Sequence, residues 1–293
     1  MKTLKAWIEA MRLRTLPVSV AGVFCAYAFA CLTWSALWLP GVLCLIFAVL
    51  AQISSNFANE YYDFKGGLDK KGRVGPRRGV TEGDISARAM KTATFAVLAL
   101  ACAVGCSLIY WGGWWLIAVG LAVAIGVVAY SAGPYPLSHH GLGEIAVVLF
   151  FGVVPVNMTY YLMCGCWRTD VALASLSMGL MGANVLIVNN YRDADDDREV
   201  GKSTLCVKLG RPAMAVVYLL NGLLALALMA ETWLEIGGAW ILFPAEYLAV
   251  HLKLWSEIRH RQGSKLNPML GATAMSMLIY ALAFLICAFF VTH

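Results

Sequence analysis

Ten of the 17 acidic residues sit in two polar segments that mix carboxylates with amides and cations. The first runs from Asn56 to Asp84 and holds Glu60, Asp63, Asp69, Glu82 and Asp84. The second runs from Asn189 to Thr204 and holds Asp193, Asp195, Asp196, Asp197 and Glu199. Each contains Asn-x-Tyr-x-Asp, as Asn59-Glu60-Tyr61-Tyr62-Asp63 and as Asn189-Asn190-Tyr191-Arg192-Asp193. Helical residues at i, i+3 and i+7 share one face. Asn56, Asn59 and Asp63 have that spacing, and so do Asn190, Asp193 and Asp197. Asp69 follows Gly66 and Gly67, which places it on a loop that folds back.

Carboxylates that converge repel one another. Two unit charges ~4 Å apart, at an effective dielectric near 20, interact by roughly 4 kcal/mol. A cation must offset that, so neutralising Asp63 or Asp193 is expected to cost turnover while leaving the fold intact. Oxygen donors without a His or Cys cage suit Mg2+, which takes one or two carboxylates and shares its other positions with water and phosphate. Arg73, Arg77, Arg78, Arg192, Arg198 and Lys202 lie close in sequence and supply the cations of a phosphate site. Acids, bases, amides and glycines together point to a lipid-linked diphosphate. A single charged loop is usually solvated surface. Two loops with the same pattern and spacing argue against that, although Asp195, Asp196, Glu199, Lys70 and Lys71 keep solvation as the simpler reading.

The elements that must position these residues are membrane helices. Hydrophobic residues make up 60% of the chain, charged residues 13%, and the mean hydropathy is +0.72. Soluble domains carry about 25% charged residues. Nine apolar blocks are expected as helices: Leu16–Leu32, Trp38–Asn59, Ala89–Ile109, Trp114–Ser131, Leu142–Cys164, Val171–Asn190, Pro212–Ala230, Ala239–Leu252 and Pro268–Phe290. Residues 1–15 read as an amphipathic surface helix, with Leu4, Trp7, Ile8 and Met11 on one side. No cleavable leader is expected. With the N-terminus cytoplasmic, 21 of the 22 basic residues fall in cytoplasmic segments and only Arg168 falls outside. The net charge of +5 therefore reports topology and not a nucleic-acid partner. Most of the nine cysteines lie in apolar blocks and read as small buried hydrophobes. The two polar segments follow the second and sixth blocks, which suggests two four-helix-like repeats around a central cavity.

These residues resemble the UbiA superfamily of intramembrane aromatic prenyltransferases, over nearly the whole chain. Arg12-Leu-Arg14-Thr15-Leu16-Pro17, the Gln52–Asp69 motif with Gly75-Pro76-Arg77, Tyr130-Ser-Ala-Gly133-Pro134-Tyr135-Pro136-Leu137, Gly141-Leu142-Gly143-Glu144 and the Asn189–Leu205 motif carry the likeness. The central loop and the Gly-Pro-Arg stretch are most similar to the 1,4-dihydroxy-2-naphthoate polyprenyltransferases of menaquinone synthesis, the MenA branch. Two departures stand out. Glu60 replaces the usual Asp of the first motif, and the central loop lacks the lysine that many hydroxybenzoate-type relatives carry.

The resemblance implies an all-α, nine-helix membrane protein forming one domain over 1–293, in the inner (cytoplasmic) membrane with the motif loops cytoplasmic. It implies transfer of a polyprenyl group from polyprenyl diphosphate to 1,4-dihydroxy-2-naphthoate, with loss of CO2 and diphosphate. Implied Mg2+ ligands are Asn59, Asp63, Asp193 and Asp197. The implied catalytic acids are Asp63, Asp69, Asp193, Asp197 and Glu60, the last or Asp69 steering the acceptor hydroxyl or taking its proton. Arg73, Arg77, Arg192 and Lys202 would bind diphosphate. Asn56, Asn59, Tyr61, Tyr130 and Arg14 would line the acceptor and prenyl pocket, with Tyr61, Tyr130 or Tyr160 facing an allylic cation. Arg14 or Arg77 would pair the acceptor's carboxylate. Oligomeric state is not readable. Other acceptors of the superfamily (4-hydroxybenzoate, homogentisate, a tetrapyrrole) remain alternatives. A transporter is a more distant one, because its pathway should carry polar groups at mid-membrane.

Overall fold

The computed structural model describes residues 2–33, 36–69, 71 and 75–292. All regular structure among them is helical. In chain order the helices are α1 (Lys2–Met11), α2 (Leu16–Cys31), α3 (Trp38–Lys65), α4 (Gly79–Glu82), α5 (Ala87–Ser107), α6 (Ile109–Gly112) and α7 (Leu116–Ala129). Next come α8 (Gly143–Val147), a π-helical stretch Val148–Val153, and α9 (Val154–Cys164), which run on as one rod. The rest are α10 (Thr169–Glu199), α11 (Leu205–Leu209), α12 (Arg211–Leu228), α13 (Ala230–Ile236), α14 (Leu242–His260) and α15 (Asn267–Thr292).

Local chemistry sets the helix ends. Pro17 occupies the first turn of α2, where its missing N–H costs nothing. Ser86 caps α5 by accepting from the Ala89 N–H at 3.2 Å, and Thr204 caps α11 by accepting from the Val207 N–H at 3.3 Å. Gly165, at φ +72°, closes α9 in the left-handed region that a side chain would resist.

Among the described residues, seven stretches are long and apolar enough to cross a membrane: Thr3–Cys31, Trp38–Lys65, Ala87–Gly112, Gly143–Cys164, Thr169–Glu199, Arg211–Leu228 and Gly263–Thr292. The other two expected blocks are helical as well, the first within two residues at each end and the second with a later end. Trp114–Ser131 forms α7, of only 14 residues. Ala239–Leu252 forms a short 3-10 turn and then α14, which extends to His260 and carries Glu246, Lys253, Glu257 and Arg259. Charge along α14 therefore makes it amphipathic, and apolar content alone set its expected end too early.

The packed centre lies among α2, α9, α10, α12, α14 and α15, around Phe29, Met178, Tyr218, Trp233 and Phe284. Its few polar groups bond to one another, as Trp233 Nε1 does to Tyr280 Oη at 2.6 Å. The outside is apolar instead: Leu121, Ile125, Leu220, Leu224, Ile279 and Phe290 are all exposed. A water-facing surface would not carry such rows, and a lipid-facing one does. α3 has 28 residues and α10 has 31, so at 1.5 Å per residue they run about 42 and 46 Å. Both exceed a hydrocarbon core of ~30 Å, and their polar C-terminal turns project beyond it.

Candidate active site

The C-terminal turns of α3 and α10 open onto one polar cavity of about 480 Å³. From α3 come Asn56, Asn59 and Asp63; from α10 come Asn190, Asp193 and Asp197. Arg12, Arg14 and Thr15 enter from the turn between α1 and α2, Arg78 from the strap before α4, and Lys202 from the loop after α10. Lys202 Nζ donates to Asp63 Oδ2 at 3.0 Å, so a cation of the second motif bonds the carboxylate of the first.

Around Asp63 the charge balance is the reverse of a crowd of carboxylates. Its side chain is 2% exposed. Besides Lys202, Arg78 Nη2 lies 3.6 Å from Oδ2 and His139 Nε2 lies 3.5 Å from Oδ1. Arg78, itself buried, also donates to Asn59 Oδ1 at 2.9 Å and stands 3.3 Å from Asp69. Arg12 reaches the same amide oxygen at 2.5 Å. Asn59 Nδ2 donates to Ser131 Oγ at 3.0 Å, which fixes the amide's orientation.

Across the cavity, Arg192 holds both oxygens of Asp193, its Nε and Nη2 each at 2.7 Å. Its other donors go to Asn267 and Asn189, each at 2.9 Å. Asn190 Nδ2 donates to Glu144 Oε1 at 2.9 Å. Both motif carboxylates thus carry their own cations, so the mutual repulsion expected from sequence is already offset. Neutralising Asp63 would leave Lys202 without its carboxylate and Arg78 with Asp69 alone, so the fold is not expected to be indifferent to it.

The donor chemistry fits a hard divalent cation such as Mg2+. Among the described residues no three carboxylate, imidazole or thiol groups form a ready cage. A cage is not what Mg2+ requires, since it binds through one or two carboxylates and substrate phosphates. Asp63 lines the cavity, and its Oδ1 has only the His139 imidazole beside it, at 3.5 Å, while Oδ2 takes the Lys202 bond.

A second, apolar cavity of about 250 Å³ adjoins the polar one. Gln52, Ser55, Tyr130, Val147 and Phe151 line both, so the two share a boundary. Beyond that boundary the walls are Phe47, Leu108, Leu116, Phe150, Met158 and Leu162. A polar, cation-rich chamber next to an apolar slot suits an amphiphile with an anionic head.

The family model for UbiA prenyltransferases matches residues 17–272. The chain belongs to the UbiA prenyltransferase family. It is 34% identical to the 1,4-dihydroxy-2-naphthoate octaprenyltransferase of Escherichia coli, covering 97% of this chain and 95% of that one. It is 35% identical to the enzyme of that name from Mycobacterium tuberculosis, covering 97% and 96%. Its fold matches a UbiA homolog from Archaeoglobus fulgidus bound to DMAPP and Mg2+, with a TM-score of 0.67, 18% identity, and 95% and 98% of the two chains covered. A UbiA homolog from Aeropyrum pernix K1 gives a TM-score of 0.70 at 16% identity, covering 92% and 97%.

Within this UbiA fold, most of the expected site residues meet at the polar cavity: Asn56, Asn59, Asp63, Asp193, Asp197 and Lys202, with Arg14, Arg77, Arg192 and Tyr130. Others do not. Glu60 is buried behind the wall and accepts the Val80 N–H at 3.0 Å, which ties α4 to α3. Asp69 folds back as expected but faces Arg78 from outside the cavity. Tyr61 packs beside Trp7 and Phe57 and stacks edge-on with Tyr62 at 4.9 Å. Tyr160 bonds Thr33 and lines neither cavity, although its neighbours Thr159 and Leu162 line the apolar one. Arg77 reaches the rim but pairs with Asp84 and Glu9, and the bond to Asp84 raises its pKa above the ordinary value. Arg73 lies outside the described residues.

Two cations matter more than their sequence context suggests. Arg78 is one of several basic residues in its run, and only burial singles it out. Arg12 has a backbone at φ +51°, the left-handed region, and this turns its side chain under α3. No pattern in the sequence marks either feature.

Proposed function

We propose that this chain transfers a polyprenyl group from its diphosphate to 1,4-dihydroxy-2-naphthoate, releasing diphosphate and CO2 and leaving demethylmenaquinol. The observation that carries this reading is the union of two Asn/Asp helix ends at one cation-rich cavity that adjoins an apolar slot. The near full-length relatives named for that same reaction choose the acceptor.

The residues divide the work by position. When bound, Mg2+ held by Asn59, Asp63, Asp193 and Asp197 would neutralise the diphosphate's charge. Lys202, Arg78 and Arg12 swing their donors from Asp63 and Asn59 to the phosphate oxygens, giving charge-assisted hydrogen bonds that strengthen as the leaving group gains charge. Arg192 keeps Asp193 aimed into the cavity. The bond from the allylic carbon to oxygen breaks with its electron pair going to diphosphate. Tyr130, at the boundary of the two cavities, faces the allylic cation, and a ring face attracts a cation by ~0.5–2 kcal/mol. The apolar slot holds the tail and keeps water away.

The naphthol carbon bearing the carboxylate then attacks the cation and forms the new carbon–carbon bond. Loss of CO2 returns an electron pair to the ring and restores aromaticity. Arg14 pairs the acceptor's carboxylate before it departs, with Asn56 and Gln52 beside it. Glu60 and Asp69 act by positioning α4 and Arg78.

The same reading takes the chain as one domain with nine spans, α7 and α14 completing the seven longer ones, and as two related halves that each end in a motif. It places the N-terminus and both motifs at the cytoplasmic face of the inner membrane. Arg168 supports that orientation, since it starts α10 and the second motif ends it.

The test uses purified full-length protein with a labelled polyprenyl diphosphate and acceptor labelled at the carboxyl carbon. Released CO2 should equal prenylated product, and EDTA should stop both until Mg2+ is restored. Product that keeps the label, or turnover only with 4-hydroxybenzoate, would overturn the acceptor. Full turnover in EDTA would overturn the metal.

A further inference from the structure

One wall of the apolar cavity has a locked backbone. The π-helical stretch Val148–Val153 is followed at once by Pro155 in the first turn of α9. Pro155 has no N–H, so the carbonyl of Phe151 loses its usual helical donor, and a widened turn relieves the conflict. Glycines then clamp the stretch from outside. A Cβ on Gly152 would lie 2.4 Å from Gly179 Cα, one on Gly179 would lie 2.7 Å from Val148 O, and one on Gly22 would lie 2.9 Å from Phe151 O. Close backbone contact on two sides leaves the stretch no room to shift. Its two rings are held at the cavity: Phe151 where the two chambers meet, Phe150 in the apolar one alone.

Gly126 of α7 lies against Phe150. A Cβ there would stand 2.6 Å from Phe150 Cζ and 2.8 Å from Cε2, distances that no real contact tolerates. The ring is therefore seated on the bare glycine. With the backbone behind it fixed, a side chain at 126 must displace the ring, and the open space beside the ring is the lumen it lines. Gly126 precedes Tyr130 by one helical turn, about 6 Å along the axis. The ring thus sits one turn past the boundary that Tyr130 marks, and a prenyl chain extending beyond its first five-carbon unit must pass it.

We propose that Gly126 and Phe150 form a width gauge that sets which prenyl donors this chain accepts. Gly126 recesses the Phe150 ring and keeps the slot open to long chains. This rests on the reading that the apolar cavity takes the prenyl tail.

The test is the ratio of kcat/KM for geranylgeranyl diphosphate to that for dimethylallyl diphosphate. It is measured with purified full-length wild type, Gly126→Ala, Phe150→Ala and the double variant. Gly126→Ala should lower the ratio by at least about tenfold, the factor that corresponds to 1.4 kcal/mol. Removing the displaced ring in the double variant should restore the ratio to the wild-type value or above. Phe150→Ala alone should raise it, and this arm decides the matter if Gly126→Ala does not fold. Equal losses for both donors, no restoration in the double variant, or an unchanged ratio in Phe150→Ala would overturn the gauge while leaving the prenyl-transfer reading intact. A wild type that transfers no donor of either length would overturn that reading itself, and the gauge with it.

Discussion

Asp63→Asn should destabilise the protein as well as inactivate it. The Asp63 carboxylate is 2% exposed and is faced by Lys202 at 3.0 Å, His139 at 3.5 Å and Arg78 at 3.6 Å. Removing one partner of a buried pair costs about 3–5 kcal/mol, because the other charge is left uncompensated. Arg78 at 6% exposed keeps Asp69 at 3.3 Å, and Lys202 at 14% and His139 at 17% retain some water, so the loss is softened. The lower end, about 3 kcal/mol, is the expected loss. For a protein of roughly this size each kcal/mol moves Tm by about 2–4 °C, so the shift should be about 6–12 °C downward. Asp195→Asn is the control: its side chain is 66% exposed, its partners are Arg198 and Arg211, and pairs of that kind contribute about 0–1 kcal/mol. Thermal unfolding of both variants in detergent, without substrate, gives the comparison. Turnover by Asp63→Asn should also fall about 10²–10³-fold, because the site loses a ligand of the Mg2+ that would stabilise the leaving group's developing negative charge. Equal Tm values for the two variants would refute the reasoning, because Asp63 would then not be holding its cations.

Other substitutions separate positioning from contact. Arg192→Lys should lower kcat/KM about 10–100-fold, nearly as far as Arg192→Ala, since an ammonium cannot grip both oxygens of Asp193; a fully active lysine variant would show the fork to be dispensable. Glu60→Gln keeps an acceptor for the Val80 N–H and should retain most activity, whereas Glu60→Ala should lose about 1–3 kcal/mol in thermal unfolding. An inactive but stably folded glutamine variant would return Glu60 to proton transfer. Cys102, Cys106 and Cys166 are all exposed, but only the first two line the apolar cavity, so geranylgeranyl diphosphate should slow their modification by a thiol reagent without slowing that of Cys166, which mass spectrometry of the labelled protein would read. Equal rates with and without donor would place the tail elsewhere.

The membrane class and the two motifs were legible in the chain itself. Both rest on local quantities: apolar run length, and the i, i+3, i+7 spacing of Asn56, Asn59 and Asp63 and of Asn190, Asp193 and Asp197. A helix carries its own side-chain geometry, so a spacing read along the sequence survives into three dimensions. α3, α10 and α14 run on past their expected apolar ends, to Lys65, Glu199 and His260, because a helix continues through charged residues that apolar content does not register.

Pairing between distant segments was decided only by tertiary structure. Lys202 meets Asp63 across 139 positions, and Arg12 meets Asn59 across 47. Nothing local specifies either bond. Glu60 and Tyr61 stand inside the first motif yet face away from the cavity, because neighbouring residues on a helix point about 100° apart and α3 is covered by α1 and α4 on that side. Arg78 differs from Arg77 by one position in sequence, but one is buried against Asp63 and the other is held at the rim by Asp84. Spacing along a helix says which groups share a face; only the packing of other helices against it says what that face meets, and so which charges are balanced, which are buried, and which remain to grip a substrate.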